Sequence, residues 1–323
     1  VGVGYQSLLD ITTGEKNTML GYQAGENTTD AQFNTAVGYQ AMRGSSGSGL
    51  TGGGVNVAIG YATFQAVTTA SNCVAIGGNA LDALTTGEAN IAIGREAMTE
   101  AASGENHNIS IGHQSMSDCD NGSNDYNVAI GSYTLRGAGE VVAANVAIGY
   151  GVMNDVNASS TGGTYNTGIG YNTMNGTWTT AASNYNTAVG SQSMQGAMNA
   201  AEDNTALGYD SLKALTEGLK NTAIGKGSLD SLTTGVQNTA VGRTSLPAVV
   251  GGGNNVGIGM DAGLLTTEGN HNIFIGTESG AANTTGDELI LIGYRAGKSL
   301  NHATDADGSI MIGYEAGKDL TSA

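Results

Sequence analysis

A block of the type Asn-Thr-Ala-Ile-Gly recurs eighteen times along this chain, so only a fold built from stacked copies of one small unit is open to it. With the closing glycine as position zero, the block falls at Gly4, Gly21, Gly38, Gly60, Gly77, Gly94, Gly112, Gly131, Gly149, Gly170, Gly190, Gly208, Gly225, Gly242, Gly259, Gly276, Gly293 and Gly313. Nine of the seventeen intervals are 17 residues and the others run from 18 to 22. A constant block with a variable remainder predicts a fixed strand joined to a loop of elastic length.

Position −1 is always Ile, Val or Leu, position −3 is Thr, Val or Ile in every complete repeat, and position −2 is mostly Ala. This period of two predicts a β-strand with one branched face and one small face. Tyr follows the glycine in nine of eighteen repeats, with a small residue at +3 and Leu, Met, Phe or Gly at +4, as in Tyr39-Gln40-Ala41-Met42. That stretch reads as a second short strand. The remainder is turn chemistry, as in Thr12-Thr13-Gly14-Glu15 and Thr233-Thr234-Gly235.

A unit this small buries its apolar face only against copies of itself. The expected fold is all-β: a parallel β-roll or β-solenoid of about 18 two-strand repeats of 17–22 residues, one domain over 1–323. At strand spacing it would be a rod on the order of 85 Å long. The −3/−1 face is expected to line the coil. The −2 strip, including Ala36, Ala58, Ala75, Ala188, Ala206 and Ala223, is expected to meet an identical chain. An Ala strip lying under the chain's own loops is the alternative. Under the first reading, Glu at Ala188, Ala206 and Ala223 would abolish assembly.

Asn occupies −4 in fourteen of the seventeen complete repeats, among them Asn34, Asn56, Asn90, Asn108, Asn204, Asn221 and Asn238. Stacked amides at one turn position predict a structural ladder from coil to coil. In the last section, 258–323, bulk moves: position −2 becomes Phe274, Leu291 and Met311, while +4 becomes Gly263, Gly280, Gly297 and Gly317. A changed cross-section is expected there.

The blocks Asn34-Thr35-Ala36-Val37-Gly38-Tyr39-Gln40-Ala41-Met42 and Asn221-Thr222-Ala223-Ile224-Gly225 resemble the head repeats of trimeric autotransporter adhesins. They resemble more closely the repeat arrays of bacteriophage tail fibres, and the likeness covers nearly the whole chain. It implies a left-handed roll, an elongated homotrimer, a virion location and attachment to a host-surface glycan or protein alongside neighbouring fibre or baseplate proteins. The adhesin repeat is typically shorter and lacks the frequent Tyr at +1, which favours the fibre over an extracellular bacterial adhesin. Fibres of this kind often carry a self-cleaving C-terminal chaperone. The chain opens in mid-repeat at Val1-Gly2-Val3-Gly4, so a fragment or processed product is expected.

Composition narrows the rest. With 28 acidic against 11 basic residues, the net charge of −17 disfavours nucleic acid and anionic membrane as partners. No apolar run approaches the length of a membrane span. Cys73 and Cys119 form no metal-binding spacing, and their role is open.

No catalytic order of Ser, His and Asp stands out from the repeated turns, and no cofactor is implied, so an enzyme is not expected. Asp118, Asp120 and Asp125 have the flavour of a calcium loop without its closing Glu. His107 and His271 share position −5 on distant coils; His113 and His302 complete the set. The long loops are the expected recognition sites. They offer Trp178, and with it Tyr126, Tyr165 and Tyr185 at position −5, as sugar-stacking candidates. Capping of the hydrophobic stack is the alternative role for these rings. A glycan-degrading spike and an ice-binding solenoid are the remaining readings; the second wants a regular Thr-x-Thr array, which does not recur at a fixed phase.

Overall fold

The computed structural model describes residues 1–45, 49–101, 103–119, 122–137, 142–156, 163–178, 181–301 and 307–321. Among them there are eighteen strands and no helix. The chain divides into two compact units, Val1–Tyr165 and Asn166–Ala323. The first stacks nine strands, β1 (Gly2–Val3) to β9 (Val146–Tyr150), and the second stacks nine more, β10 (Thr167–Tyr171) to β18 (Ile310–Ile312). Within each unit every strand pairs in parallel with the next one in the chain, and like positions stack on like. Thr205, Ala206 and Leu207 lie against Thr222, Ala223 and Ile224. Each unit is therefore a parallel β-solenoid.

The strand faces are the reverse of the expected ones. Ala36, Ala58, Ala75, Ala188, Ala206 and Ala223 are completely buried inside their own chain, so they form no interface with another. The branched residues at −3 and −1 look outward: Leu20, Ile59, Leu207, Ile224 and Ile258 are exposed. The reason is the width of the coil. Opposite position −2 stands the +4 side chain, completely buried in Met42, Phe64, Leu81, Met98, Leu212 and Leu229. The two share one small space, and a large +4 residue leaves room only for a methyl group at −2.

The exceptions obey the same volume rule. Where −2 is Met19, Phe274, Leu291 or Met311, position +4 of that coil is Gly25, Gly280, Gly297 or Gly317. A Cβ on Gly280 would stand 2.5 Å from the Phe274 ring, and one on Gly297 would stand 2.8 Å from Leu291. The coil of Gly257 and Gly263 is small at both positions, and Leu246 and Phe274 from the flanking coils fill it. Strand length and register are unchanged through this exchange.

The expected second strand is a run of turns. Its +2 and +4 residues are left-handed without being glycine, as in Gln40 (φ 52°) and Met42 (φ 50°), and −5 is left-handed too, as in Phe33 (φ 61°). Each such residue is intrinsically disfavoured, by about 1–2 kcal/mol in helical runs. The conformation persists because it bends the chain while keeping its amides along the stack. Gln40 N–H donates back to Tyr22 O at 2.8 Å, and Met42 N–H donates forward to Thr63 O at 2.8 Å. Gly38 at position zero has a φ of 139°, and a Cβ there would stand 2.1 Å from the carbonyl oxygen of Gly60. No other residue fits.

The buried asparagines form the ladder. Asn34 N–H donates to Asn17 Oδ1 at 2.9 Å, and Asn221 N–H donates to Asn204 Oδ1 at 2.9 Å. The amide nitrogens also donate to turn carbonyls of the next coil, as Asn204 Nδ2 does to Gly218 O and Asn221 Nδ2 to Gly235 O, both at 2.8 Å. Asn56, Asn90, Asn108 and Asn238 make the same forward bond, to Ala70, Glu105, Asn124 and Gly252. Cys73 interrupts the series: its N–H donates to Asn56 Oδ1 at 2.9 Å, but its thiol replaces an amide. Leu289 ends it: its N–H donates to Asn272 Oδ1, but its side chain offers no amide to the next coil.

Two predictions follow from burial. Ala206→Glu places a carboxyl inside the coil and is expected to destabilise the second unit by about 4 kcal/mol or more at neutral pH. Loss of β circular dichroism on mild heating reads this out; a folded chain with altered assembly would return Ala206 to the surface. Cys73→Asn restores a rung and is expected to raise stability by about 1 kcal/mol. For a unit of this size that is a melting shift of about 2–4 °C, and an unchanged or lower Tm contradicts it.

Candidate functional surfaces

The most distinctive surface is the outward strand face. It consists of the branched −3 and −1 rows and the +1 row beside them. None of the 28 acidic residues falls between −4 and +1 in any of the eighteen blocks; the only charges there are Arg95, Lys226 and Arg243 at +1. The flanking −6 and −5 rows, in contrast, carry Glu15, Glu88, Asp125, Glu202, Asp203, Asp287, Glu288 and Asp307 against Lys16 and Lys220. Each unit thus presents an uncharged apolar strip with a neutral-to-basic edge and an opposite edge that is mostly uncharged with a net acidic balance.

At the +1 edge of the first unit, Tyr5, Tyr22, Tyr39 and Tyr61 stack as a continuous ladder. Successive ring centroids are 5.2 Å apart and the interplanar angles are 16°, 6° and 6°. A glutamine ladder runs beside it: Gln23 donates to Gln6 at 2.9 Å, Gln40 to Gln23 at 2.8 Å, and Gln65 to Gln40 at 2.9 Å. In the second unit, Arg295 bridges Glu278 (2.7 Å) and Glu315 (3.7 Å), with Lys298 also on Glu278. Gln6, Gln23, Gln40, Glu278, Arg295 and Glu315 all stand at +2, so these contacts follow from placing like positions at strand spacing, while Gln65 and Lys298 reach in from +5.

A second asparagine-and-aspartate ladder at −6 was not anticipated. Asn106 Oδ1 accepts from Glu88 N–H, and Asp125 Oδ1 accepts from Asn106 N–H. Gly253, Asn270 and Asp287 donate in the same way to Asn270, Asp287 and Asp307. The signal available was the recurrence of short acceptor side chains at −6, diluted by Leu219 and Val236 in that row.

The aromatic candidates divide. Trp178 is only 3% exposed, so it cannot stack on a sugar; its indole is turned into the coil. The largest apolar side chain gains most from leaving water, and a longer loop gives it space. Tyr126, Tyr165 and Tyr185 are 62%, 59% and 56% exposed, each with positive φ. Tyr126 stacks on His107 at 5.0 Å with the rings 7° apart. Tyr165 closes the first unit and Tyr185 belongs to the second.

The calcium candidates are not brought together. Asp118 pairs with Arg136 at 2.9 Å, Asp125 accepts from the Asn106 backbone at 2.7 Å, and Asp120 lies outside the described residues, as does His302. Among the described residues no group of three or more His, Cys, Asp or Glu side chains could hold a metal ion. Cys73 and Cys119 are buried thiols outside any disulfide, and burial pushes the Cys73 thiol up.

Three depressions lie on the surface of the described residues, one of about 300 Å³ between residues 30–33 and 52–54 and two that each carry more than one charged side chain. One in the first unit, about 220 Å³, is lined by Glu96, Thr99, Glu100, Gln114, Ser117 and Asp118. Burial pushes the nearby Asp82 carboxyl up to about 6, and the charges of Glu96 and Glu100 push in the same direction. The other, in the second unit, is a shallow groove of about 650 Å³ with Gln195, Lys213 and Asp230 along it and Gly196, Ala214 and Ser231 as its floor.

Fold and surface together define a β-solenoid repeat protein with an uncharged apolar strand face. Comparison with protein-family models, with curated proteins and with solved structures finds no match. No helix of the described residues is long and apolar enough to cross a membrane.

Asp82 generates a pH prediction. Its carboxyl keeps a proton to about pH 6 when folded but only to about 3.8 when unfolded. Folding is therefore penalised as pH rises from about 4 to about 6, and the penalty persists above that. Asp82→Asn is expected to raise the unfolding midpoint at pH 7.5 and leave it nearly unchanged at about pH 4; equal effects at both values would contradict the assignment.

Proposed function

We propose that this chain is a structural fibre protein, a tail-fibre segment of a virion that carries host-surface attachment and works as a parallel homotrimer. The observation that carries the proposal is the apolar strand face. Exposed contiguous apolar patches larger than a few hundred Å² are rare on monomeric proteins, and rimmed by polar residues they mark interaction surfaces. Here the patch repeats on successive coils while every acidic residue of a strongly acidic chain lies off it. A copy of the same chain is the occupant that matches it coil for coil.

The edges favour cyclic packing. A strip with a neutral-to-basic +1 edge and a −5/−6 edge of net acidic balance places unlike edges together when copies are related by rotation about the stack. The contact surface is the −3/−1 face, not the Ala strip. The likeness of the repeat to phage fibre arrays supports the trimer and the virion location. The alternative of an adhesin head on a bacterial surface uses the same scaffold. Host glycan or protein contacts then fall to the outward loops and to exposed rings such as Tyr126, with no chemistry required of them.

One observation favours a second reading. Thr167, Thr187, Thr205, Thr222 and Thr239 occupy −3 on consecutive coils of the second unit, in register and on the outward face. A flat, regular threonine row is the kind of surface an ice-binding solenoid uses, although Ile, Val and Leu stand at −1.

Sedimentation equilibrium on the full chain tests the proposal. A trimer is expected, and Leu207→Glu with Ile224→Glu should yield a folded monomer with unchanged β circular dichroism. A wild-type monomer overturns the trimer, and thermal hysteresis in that monomer would establish the ice-binding reading. Immunogold electron microscopy of the source particle separates virion fibre from bacterial surface.

A further inference from the structure

The tyrosine ladder of the first unit has a chemistry of its own, independent of what the chain attaches to. Tyr5, Tyr22, Tyr39 and Tyr61 are all exposed, and each faces the next at 5.2 Å in nearly parallel planes. Their backbones are tied by the axial hydrogen bonds of four consecutive coils, and Gln6, Gln23 and Gln40 bond side chain to side chain next to them. Within one chain the rings are therefore held as near-parallel neighbours, each partly open to solvent. We infer that this ladder is a site of oxidative tyrosine coupling, in which a one-electron oxidant from solution joins successive coils by covalent dityrosine bridges.

The step balances as follows. Two neighbouring phenols each give one electron to the oxidant and one proton to water, leaving two phenoxyl radicals. The radicals combine through the ring carbons next to the hydroxyls, forming one C–C bond. Each of those carbons then passes its hydrogen to its own oxygen, which restores both phenols. Two equivalents of oxidant are reduced for each bridge. Proximity decides the partner: a radical held against its neighbour meets it at an effective concentration that dilute chains cannot match.

Elsewhere the geometry differs. Tyr209 is 46% exposed, comparable to Tyr22 at 42%, but the +1 positions of its flanking coils are Ser191 and Lys226, and the Lys226 ammonium lies 5.4 Å from its ring. Tyr133 and Tyr150 meet edge to face at 77°. In the second unit Tyr294 and Tyr314, 5.3 Å apart and 19° from parallel, repeat the stacked arrangement. Bridges are expected to follow stacking rather than exposure.

The sequence makes the bridges readable. Cleavage after Lys16, Arg43 and Arg95 leaves Tyr5 alone in peptide 1–16, Tyr22 and Tyr39 in 17–43, and Tyr61 alone in 44–95. The full chain at low concentration is illuminated with ruthenium tris-bipyridine and persulfate, denatured, digested and analysed by mass spectrometry. Peptide 1–16 is expected to be linked to 17–43, and 17–43 to 44–95, with dityrosine fluorescence independent of protein concentration. Tyr22→Phe keeps the stack but removes one phenol. It should abolish the first link and retain the second, with circular dichroism unchanged. Failure to form dityrosine, links whose yield rises with protein concentration, or capture of peptide 1–16 by other peptides in Tyr22→Phe would each overturn the proposal.

Discussion

Everything in these units depends on the amides running along the stack. A chain that places every coil at strand spacing from the last must send its backbone N–H and C=O groups to the neighbouring coils, in the turns as well as in the strands, because a buried unpaired amide is costly. The three-residue strands meet this demand for only a small part of each repeat. The turns meet it by entering the left-handed region at −5, +2 and +4, even with Phe33, Gln40 and Met42 there. The asparagine at −4 meets it inside the coil, where no water can. One side chain accepts a backbone N–H of the next coil and donates to one of its carbonyls, so a single residue type closes two otherwise open valences per repeat.

This demand separates what the sequence made legible from what it did not. The strand positions, the invariant glycine and the asparagine rungs could be read because each is one residue type at one phase. The direction of the strand faces could not. Alternation with period two says that two faces exist and leaves their sign open. The usual rule, branched residues inside, fails because the coil is too narrow for Ile and Val opposite Met42 or Leu212. The covariation of −2 with +4, visible in Met19 with Gly25 as well as in Phe274 with Gly280, carried the answer, since two positions that exchange bulk share one cavity. The apparent second strand was misread for a different reason. Left-handed turns in such coils use ordinary residues, and intrinsic preference is overridden by the axial bonds.

The candidate sites were less legible still. Trp178 looked like a recognition residue because it stood alone in a loop, yet a lone large ring in a chain of small core residues is the one most rewarded by burial. Tyr126 and Tyr185 were legible as outward residues from their place beside the asparagine rung. Asp118 and Asp125 were grouped by proximity in sequence, whereas in a solenoid the relevant neighbours are one repeat away. Asp118 meets Arg136 and Asp125 meets Asn106.

That last point generalises to the whole surface. In a stack, the residue that decides a side chain's environment lies 17 to 22 positions distant, so surface chemistry is written in columns. A column of Tyr becomes an aromatic ladder, a column of Gln an amide chain, and alternating Glu and Arg an ion-pair ladder. The interior columns admit almost no variation beyond the exchange of volume between −2 and +4. The outward columns vary freely at little cost to the coil. Function in such a chain therefore resides in which outward columns are kept uniform over many coils. The longest uniform ones are the branched −3 and −1 rows, which hold their character in both units although they stay partly exposed there. Exposed rows of Ile, Val and Leu are not needed to fold the coil. Their persistence is best accounted for by a second surface of the same periodicity, which a copy of this chain would supply in the proposed assembly.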